Sequence, residues 1–180
     1  RAVTDIAYPE RPDPENPSRT RRVDTEDNVI VLGSILPTVS PDHREEPIPG
    51  ILESSKVATG TEDELRFEIH GSLGAIRFNS MDAHHLEMYD RRDTAFSGPA
   101  PGGWNRLQTG GRYPAPARAF PSPKAVVGWL RGHLGSVASF MSYVDEGTPA
   151  DPGLETGLYV QELIDAVDRA AETGRPVELG

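Results

Sequence analysis

The chain has 180 residues, 36% of them apolar and 26% charged, with a formal net charge of −10 and no cysteine. The length suffices for one domain with a core, and the missing cysteines exclude disulfides, thiolate catalysis and cysteine zinc sites. The negative charge disfavours binding to phosphate backbones or anionic lipid, and no run reaches the roughly 20 apolar residues that span a bilayer.

The chain opens with RAVTDI, without a Met and without a charged-then-apolar leader, so an upstream portion is expected to have been removed; the absence of cysteine is consistent with a cytoplasmic enzyme. Residues 2–8 read as a short strand. Residues 9–22, rich in Pro and Arg, read as a loop or mobile excursion. Arg11, Arg19, Arg21 and Arg22 cluster there, against strongly acidic last forty residues; both read as solvated surface. Residues 27–36 (DNVIVLGSIL) are apolar on both faces, which predicts a central, well-covered strand. Residues 37–49 read as a polar surface loop, where His43 beside Glu45 and Glu46 lacks a spaced metal-ligand partner.

Residues 49–79 (PGILESSKVATGTEDELRFEIHGSLGAIRFN) are the most informative stretch: strand, loop, strand, tight turn, strand. Leu65, Phe67 and Ile69 alternate with Arg66, Glu68 and His70. After the turn, Ile76 and Phe78 alternate with Ala75 and Arg77. Successive strand residues point to opposite faces, so this predicts a half-buried antiparallel hairpin with one apolar and one polar face. Residues 84–89 (HHLEMY) read as a further strand, 90–103 as a Gly/Pro loop, 104–108 as an edge strand and 110–122 as irregular.

Ser122-Pro123 reads as an N-cap followed by proline at the first helical position. Val126, Val127, Leu130, Leu134, Val137, Phe140, Met141 and Val144 recur at helical spacing up to Gly147. Gly128, Gly132 and Gly135 are expected to divide this run into a short turn and a main helix from about His133. A second helix is predicted over 154–173, with Leu158, Val160, Leu163, Ile164, Val167 and Ala171 as its apolar stripe and Gly174 as terminator. Residues 176–179 could add a last strand. Strands first and helices last predict a single α+β domain over 1–180: an open-faced, mostly antiparallel sheet with two C-terminal helices packed on one face.

No reactive motif is visible. G-x-G-x-x-G and G-x-x-x-x-G-K-[ST] are both absent, so no dinucleotide or triphosphate cradle can be read. Gly71–Gly74 matches G-x-x-G, but between two strands it reads as a turn rather than a nucleotide clamp. His84 and His85 beside Asp82 suggest a metal, yet neighbours on a strand face opposite ways and cannot share an ion. Three residues are candidates for substrate contact. His133, at an expected helix start, either hydrogen-bonds a hydroxylated ligand as a neutral imidazole or simply packs. Lys56, after a strand, either binds a hydroxyl or carboxylate or is solvated. Trp104, beside Gly102 and Gly103, either stacks on a sugar ring or packs on the core.

The runs LESSKVATG (52–60) and LRFEIHGSLGAIRF (65–78) resemble the C-terminal domain of the glucose–fructose oxidoreductase, inositol dehydrogenase and MocA family. The tail is similar in order and spacing: Ser139-Phe140-Met141, Glu146-Gly147-Thr148-Pro149, Gly157-Leu158-Tyr159-Val160-Gln161 and Gly174-Arg175-Pro176-Val177. The likeness covers most of 27–179 and is weaker in 37–49 and 90–122.

The resemblance implies an NAD(P)-dependent oxidoreductase of two domains. An N-terminal Rossmann domain, absent from this chain, would hold NAD or NADP and the catalytic lysine. The present part would form the wall of a sugar, inositol or polyol pocket and an oligomer contact. No catalytic, cofactor-binding or metal residue can be carried over, and the isolated chain is expected to be inactive; Lys56 and His133 lie in blocks that border the pocket. The polar sheet face carrying Arg66, Glu68, His70 and Arg77 is expected to meet a symmetry mate. Two alternatives remain: a stand-alone protein-interaction module that uses the open sheet face, and, with little behind it, an independent metal or hydrolytic enzyme.

Overall fold

The computed structural model describes residues 1–36, 46–92, 102–125 and 128–179. Among these the strands are antiparallel and the two α-helices come last in the chain, as the segregated sequence pattern predicts. The chain divides into two compact units, Arg1–Thr59 with Pro152–Gly180, and Gly60–Asp151. The expected 37–45 loop and the stretch 93–101, with His43, Glu45 and the helical pattern members Val126 and Val127, lie outside the described residues.

In the first unit, β1 (Ala2–Asp5), β4 (Asn28–Ile35) and β5 (Ile48–Ser55) form a three-stranded sheet with β4 in the centre. The register sets Val3 opposite Ile30 and Leu32 opposite Ile51. Residues two apart on a strand share a face, so these four side chains lie together. α2 (Leu154–Thr173) packs on β1, and the buried apolar residues of this unit are Ala2 on the strand with Ala166 and Ala170 on the helix. Small side chains let the backbones approach at this edge strand. β4 is central as expected and yet not well covered: Ile30, Leu32 and Ile35 remain 47–59% exposed.

Residues 9–22 are not a plain loop. They form a short hairpin of β2 (Glu10–Pro12) and β3 (Thr20–Arg22). Two Asx turns close it, with Asp13 Oδ1 accepting from Glu15 N–H (2.9 Å) and Asn16 Oδ1 from Ser18 N–H (3.1 Å). The Arg11 guanidinium pairs with the buried Asp27 carboxylate and so ties the hairpin to the start of β4. The tail 176–179 does not form the expected strand.

The second unit is a meander of β6 (Arg66–His70), β7 (Gly74–Asn79), β8 (His85–Asp90) and β9 (Trp104–Gln108), paired in that order with β9 on the edge. The predicted period of two is reproduced in the register, which pairs Phe67 with Phe78 and Ile69 with Ile76. Gly71 N–H donates to Gly74 O (2.8 Å), so the G-x-x-G tetrapeptide is a hairpin turn. Gly74 is required there, because a Cβ would fall 2.2 Å from Tyr89 O. The apolar side is less covered than a half-buried hairpin implies, with Phe67 42% and Ile69 57% exposed.

α1 runs from Trp129 to Glu146 as one helix, with Gly132 and Gly135 inside it. An interior Gly costs about 1 kcal/mol against Ala, which an 18-residue helix absorbs. Ser122 is therefore not its N-cap. Ser122 Oγ accepts from Lys124 N–H (3.2 Å) in a local turn, and the helix starts after Gly128, whose φ of 56° swings the chain into its first turn. Both helices end as predicted: Gly147 and Gly174 adopt left-handed conformation and donate to Tyr143 O and Ala170 O.

Candidate functional site

The polar face of the meander is a ladder of alternating charge. Cross-strand register sets Glu68 opposite Arg77, Arg77 opposite Glu87, and Glu87 opposite Arg106. Arg77 Nε donates to Glu87 Oε2 (2.5 Å), and its guanidinium lies 4.0 Å from the centroid of the Trp104 ring. Tyr89 meets Trp104 edge-on at 6.0 Å. Trp104 thus stands on the polar face of the edge strand with a cation over its ring, not in the core. His70 Nε2 lies 3.1 Å from Glu68 Oε1, while Arg66 has no ion pair among the described residues. Each exposed pair contributes little alone; together they fix the side chains across four strands.

At one end of this face Asp82 joins two basic partners. Its Oδ1 lies 2.8 Å from His85 Nδ1, and Arg106 pairs with its other oxygen. The His85 hydrogen bond, then Arg106, hold the Asp82 carboxyl below its ordinary value against the opposing effect of partial burial. His84 lies in a turn just before β8 rather than in the expected strand, and its ring meets that of His85 edge-on (87°) with centroids 5.2 Å apart. Among the described residues no group of three or more His, Asp or Glu is placed to hold a metal.

Between β9 and α1 lies a feature that sequence reasoning missed. Arg131, only 3% exposed, enters the interior from the first turn of α1. It donates to four backbone carbonyls: Gly110 (3.0 Å), Phe120 (3.1 Å), Ser122 (2.9 Å) and Ala125 (2.7 Å). The Tyr113 ring lies 5.5 Å away. A cavity of about 10 Å³ adjoins it, lined by Ala83, His84, Tyr113, Gly128 and Arg131, and Arg131 Nε is buried without a partner among the described residues. A single water fits that volume. A guanidinium carries five donors in a rigid fork and keeps its charge. It can therefore gather carbonyls from a proline-rich stretch that has little regular structure. The hint in the sequence is an arginine next to Leu130 within the helical pattern.

Of the three candidates for substrate contact, His133 sits in the second turn of α1 rather than at its N-terminus, so the dipole argument made for it weakens. Its ring stacks on Trp129, with centroids 5.7 Å apart and planes at 24°. Trp104 has Arg77 and Tyr89 as neighbours, whereas Lys56 belongs to the first unit. There the Lys56 N–H donates to Asp27 O (2.9 Å), and its side chain is exposed without an ion pair among the described residues.

Comparison with known proteins follows the same outline. Residues 47–179 match a family model described as "Oxidoreductase family, C-terminal alpha/beta domain". A levoglucosan dehydrogenase of Pseudarthrobacter phenanthrenivorans is 28% identical over 127 residues, which are 68% of this chain and 30% of that protein. Among solved structures, an oxidoreductase domain protein from Kribbella flavida superposes with a TM-score of 0.78 at 24% identity. It covers 97% of this chain and 42% of its own. A levoglucosan dehydrogenase in complex with NADH and levoglucosan gives 0.76 at 22% identity, covering 97% and 42%. At such identities the superpositions show the fold. The chain spans less than half the length of these relatives.

Proposed function

Since this chain belongs to the Gfo/Idh/MocA oxidoreductase family, as its C-terminal alpha/beta domain, we propose that it is the substrate-side and oligomerisation domain of an NAD(P)-dependent oxidoreductase. The substrate class is a sugar, inositol or related polyol, and the setting is cytoplasmic. The observation that carries this reading is the family match over 47–179, on a fold that superposes along nearly the whole chain. The relatives' greater length supports a Rossmann domain as the partner half, working with 1–180 as one domain.

The nicotinamide cofactor is assigned to the proposed partner half. What supports this is that, among the described residues, neither α-helix follows a parallel strand through a glycine-rich turn, the unit that cradles a pyrophosphate. No step through the cofactor is therefore assigned to this chain, which contributes binding and orientation. Lys56, His133 and Trp104 are its proposed substrate contacts. Arg66, Glu68, His70 and Arg77 form the proposed contact with a second copy, on the polar face of the meander.

The test pairs two proteins: this chain alone, and a longer one in which a dinucleotide-binding half precedes it. With NAD or NADP and a panel of levoglucosan, D-glucose and myo-inositol, the longer protein is expected to produce reduced nicotinamide and this chain is not. Turnover by the chain alone, or no turnover by the longer protein with any polyol, would overturn the reading. Size-exclusion chromatography checks the oligomer, and a clean monomer at high concentration counts against it. A stand-alone interaction module is the second reading. What favours it is the apolar face of Val3, Ile30, Leu32 and Ile51, 47–73% exposed, a kind of patch that marks contact surfaces.

A further inference from the structure

The geometry points to a carbohydrate-stacking platform built from Trp129 and His133, with Arg131 as the positioning residue that aims it. This rests on the oxidoreductase reading above and adds a ligand contact, Trp129, that the sequence did not single out. The substrate class addressed is a six-membered polyol ring with one contiguous C–H face.

The argument begins with helical geometry. Residues advance by about 100° each around an α-helix, so Trp129 and His133 are roughly 40° apart on one side and one turn apart along the axis. Arg131 is about 200° from both. Its burial and its four carbonyl bonds fix that residue toward the interior. Anchoring Arg131 inward therefore turns Trp129 and His133 outward. The observed exposure agrees: Trp129 is 46% accessible and His133 is exposed.

The pair is already in contact without a ligand. The rings stack on each other (5.7 Å, 24°), and no cation or other ring meets Trp129 among the described residues. Nearly half of a large aromatic surface is thus left to water on the first turns of α1. The C–H face of a pyranose or cyclitol packs on an indole through dispersion and weak C–H contacts. The imidazole nitrogens beside it donate to or accept from ring hydroxyls. Preorganisation of this kind lowers the ordering cost of binding.

The experiment uses the full chain. Levoglucosan, D-glucose and myo-inositol are titrated while the indole N–H resonance of Trp129, assigned through Trp129→Phe, is followed by NMR. Circular dichroism and unfolding midpoints confirm that each variant folds. At least one polyol is expected to shift that resonance, and Trp129→Leu to weaken its binding about five- to tenfold, the size of one aromatic contact. His133→Phe is expected to keep more affinity than His133→Ala, because it preserves the stack. Arg131→Lys is expected to weaken binding even where the fold is retained, because the pair is no longer aimed.

The platform is overturned if the three polyols leave the Trp129 signal unmoved, or if they bind Trp129→Leu as tightly as the wild type. It is also overturned if the longer protein carrying Trp129→Leu turns over its substrate at unchanged KM, a result that leaves the oxidoreductase reading standing. Polyol binding at Trp129 without turnover by any longer protein would do the reverse.

Discussion

Replacing Arg131 by Met removes the group that organises the chain between β9 and α1. The side chain is 3% exposed and satisfies four carbonyls at 2.7–3.1 Å. Hydrogen bonds from a charged donor contribute about 1.5–3 kcal/mol each, and an orphaned buried acceptor costs about 1–3 kcal/mol. Some of the freed carbonyls will find water, and Met removes the buried charge and its desolvation cost along with the bonds. The net loss is therefore far below the sum of the bonds, about 3–5 kcal/mol. For a unit of this size that lowers Tm by more than about 10 °C. Trp104 and Trp129, the two tryptophans of the chain, both lie in the second unit, so indole fluorescence during urea unfolding reports on it directly. Hydrogen exchange is expected to rise selectively over residues 110–125. Arg131→Lys should fall between, because an ammonium cannot reach four carbonyls arranged for a planar fork. A cost below about 1 kcal/mol for Arg131→Met would refute the view that this guanidinium holds the segment.

Gly110→Ala tests the same region from the other side. The new Cβ would lie 2.8 Å from His84 Cε1 and 2.9 Å from Pro123 O. A loss of about 1–3 kcal/mol is expected in the same unfolding assay. Gly174→Ala meets no atom within 4 Å but keeps φ at 65°, so its cost is backbone strain alone, about 1 kcal/mol by thermal unfolding. For Asp82 the folded carboxyl titrates below its ordinary 3.8, with the His85 hydrogen bond as the main cause. Its contribution is therefore present above pH 3.8 and is lost as pH falls from there through the lower folded value. Asp82→Asn should flatten the acid limb of a stability–pH curve, and an unchanged limb would contradict the His85–Asp82 contact.

Local chemistry alone determined much of this protein. The alternation of residues 65–78 set both faces of the hairpin and its register, because strand side chains point alternately whatever lies around them. Gly74, Gly147 and Gly174 marked a turn and two helix ends, since a close backbone approach or a left-handed residue favours glycine. The order of strands before helices set the antiparallel architecture.

The sequence misjudged whatever depended on distant partners. Residues 9–22 form a hairpin whose Arg11 is tied to Asp27, further along the chain. Ser122-Pro123 has the chemistry of a helix start, yet Arg131 takes the Ser122 carbonyl and α1 begins beyond Gly128. The core was overestimated because apolar pattern shows which side chains avoid water, not what covers them; α2 packs on the edge strand β1, and Leu32 and Ile51 stay open. The Trp129–His133 stack lay in plain view as an i, i+4 pair, but its outward aim came from a buried guanidinium and the four carbonyls that hold it. Periodicity travels with the chain, whereas burial and aim are relations between segments far apart in it, and only the folded arrangement decides those.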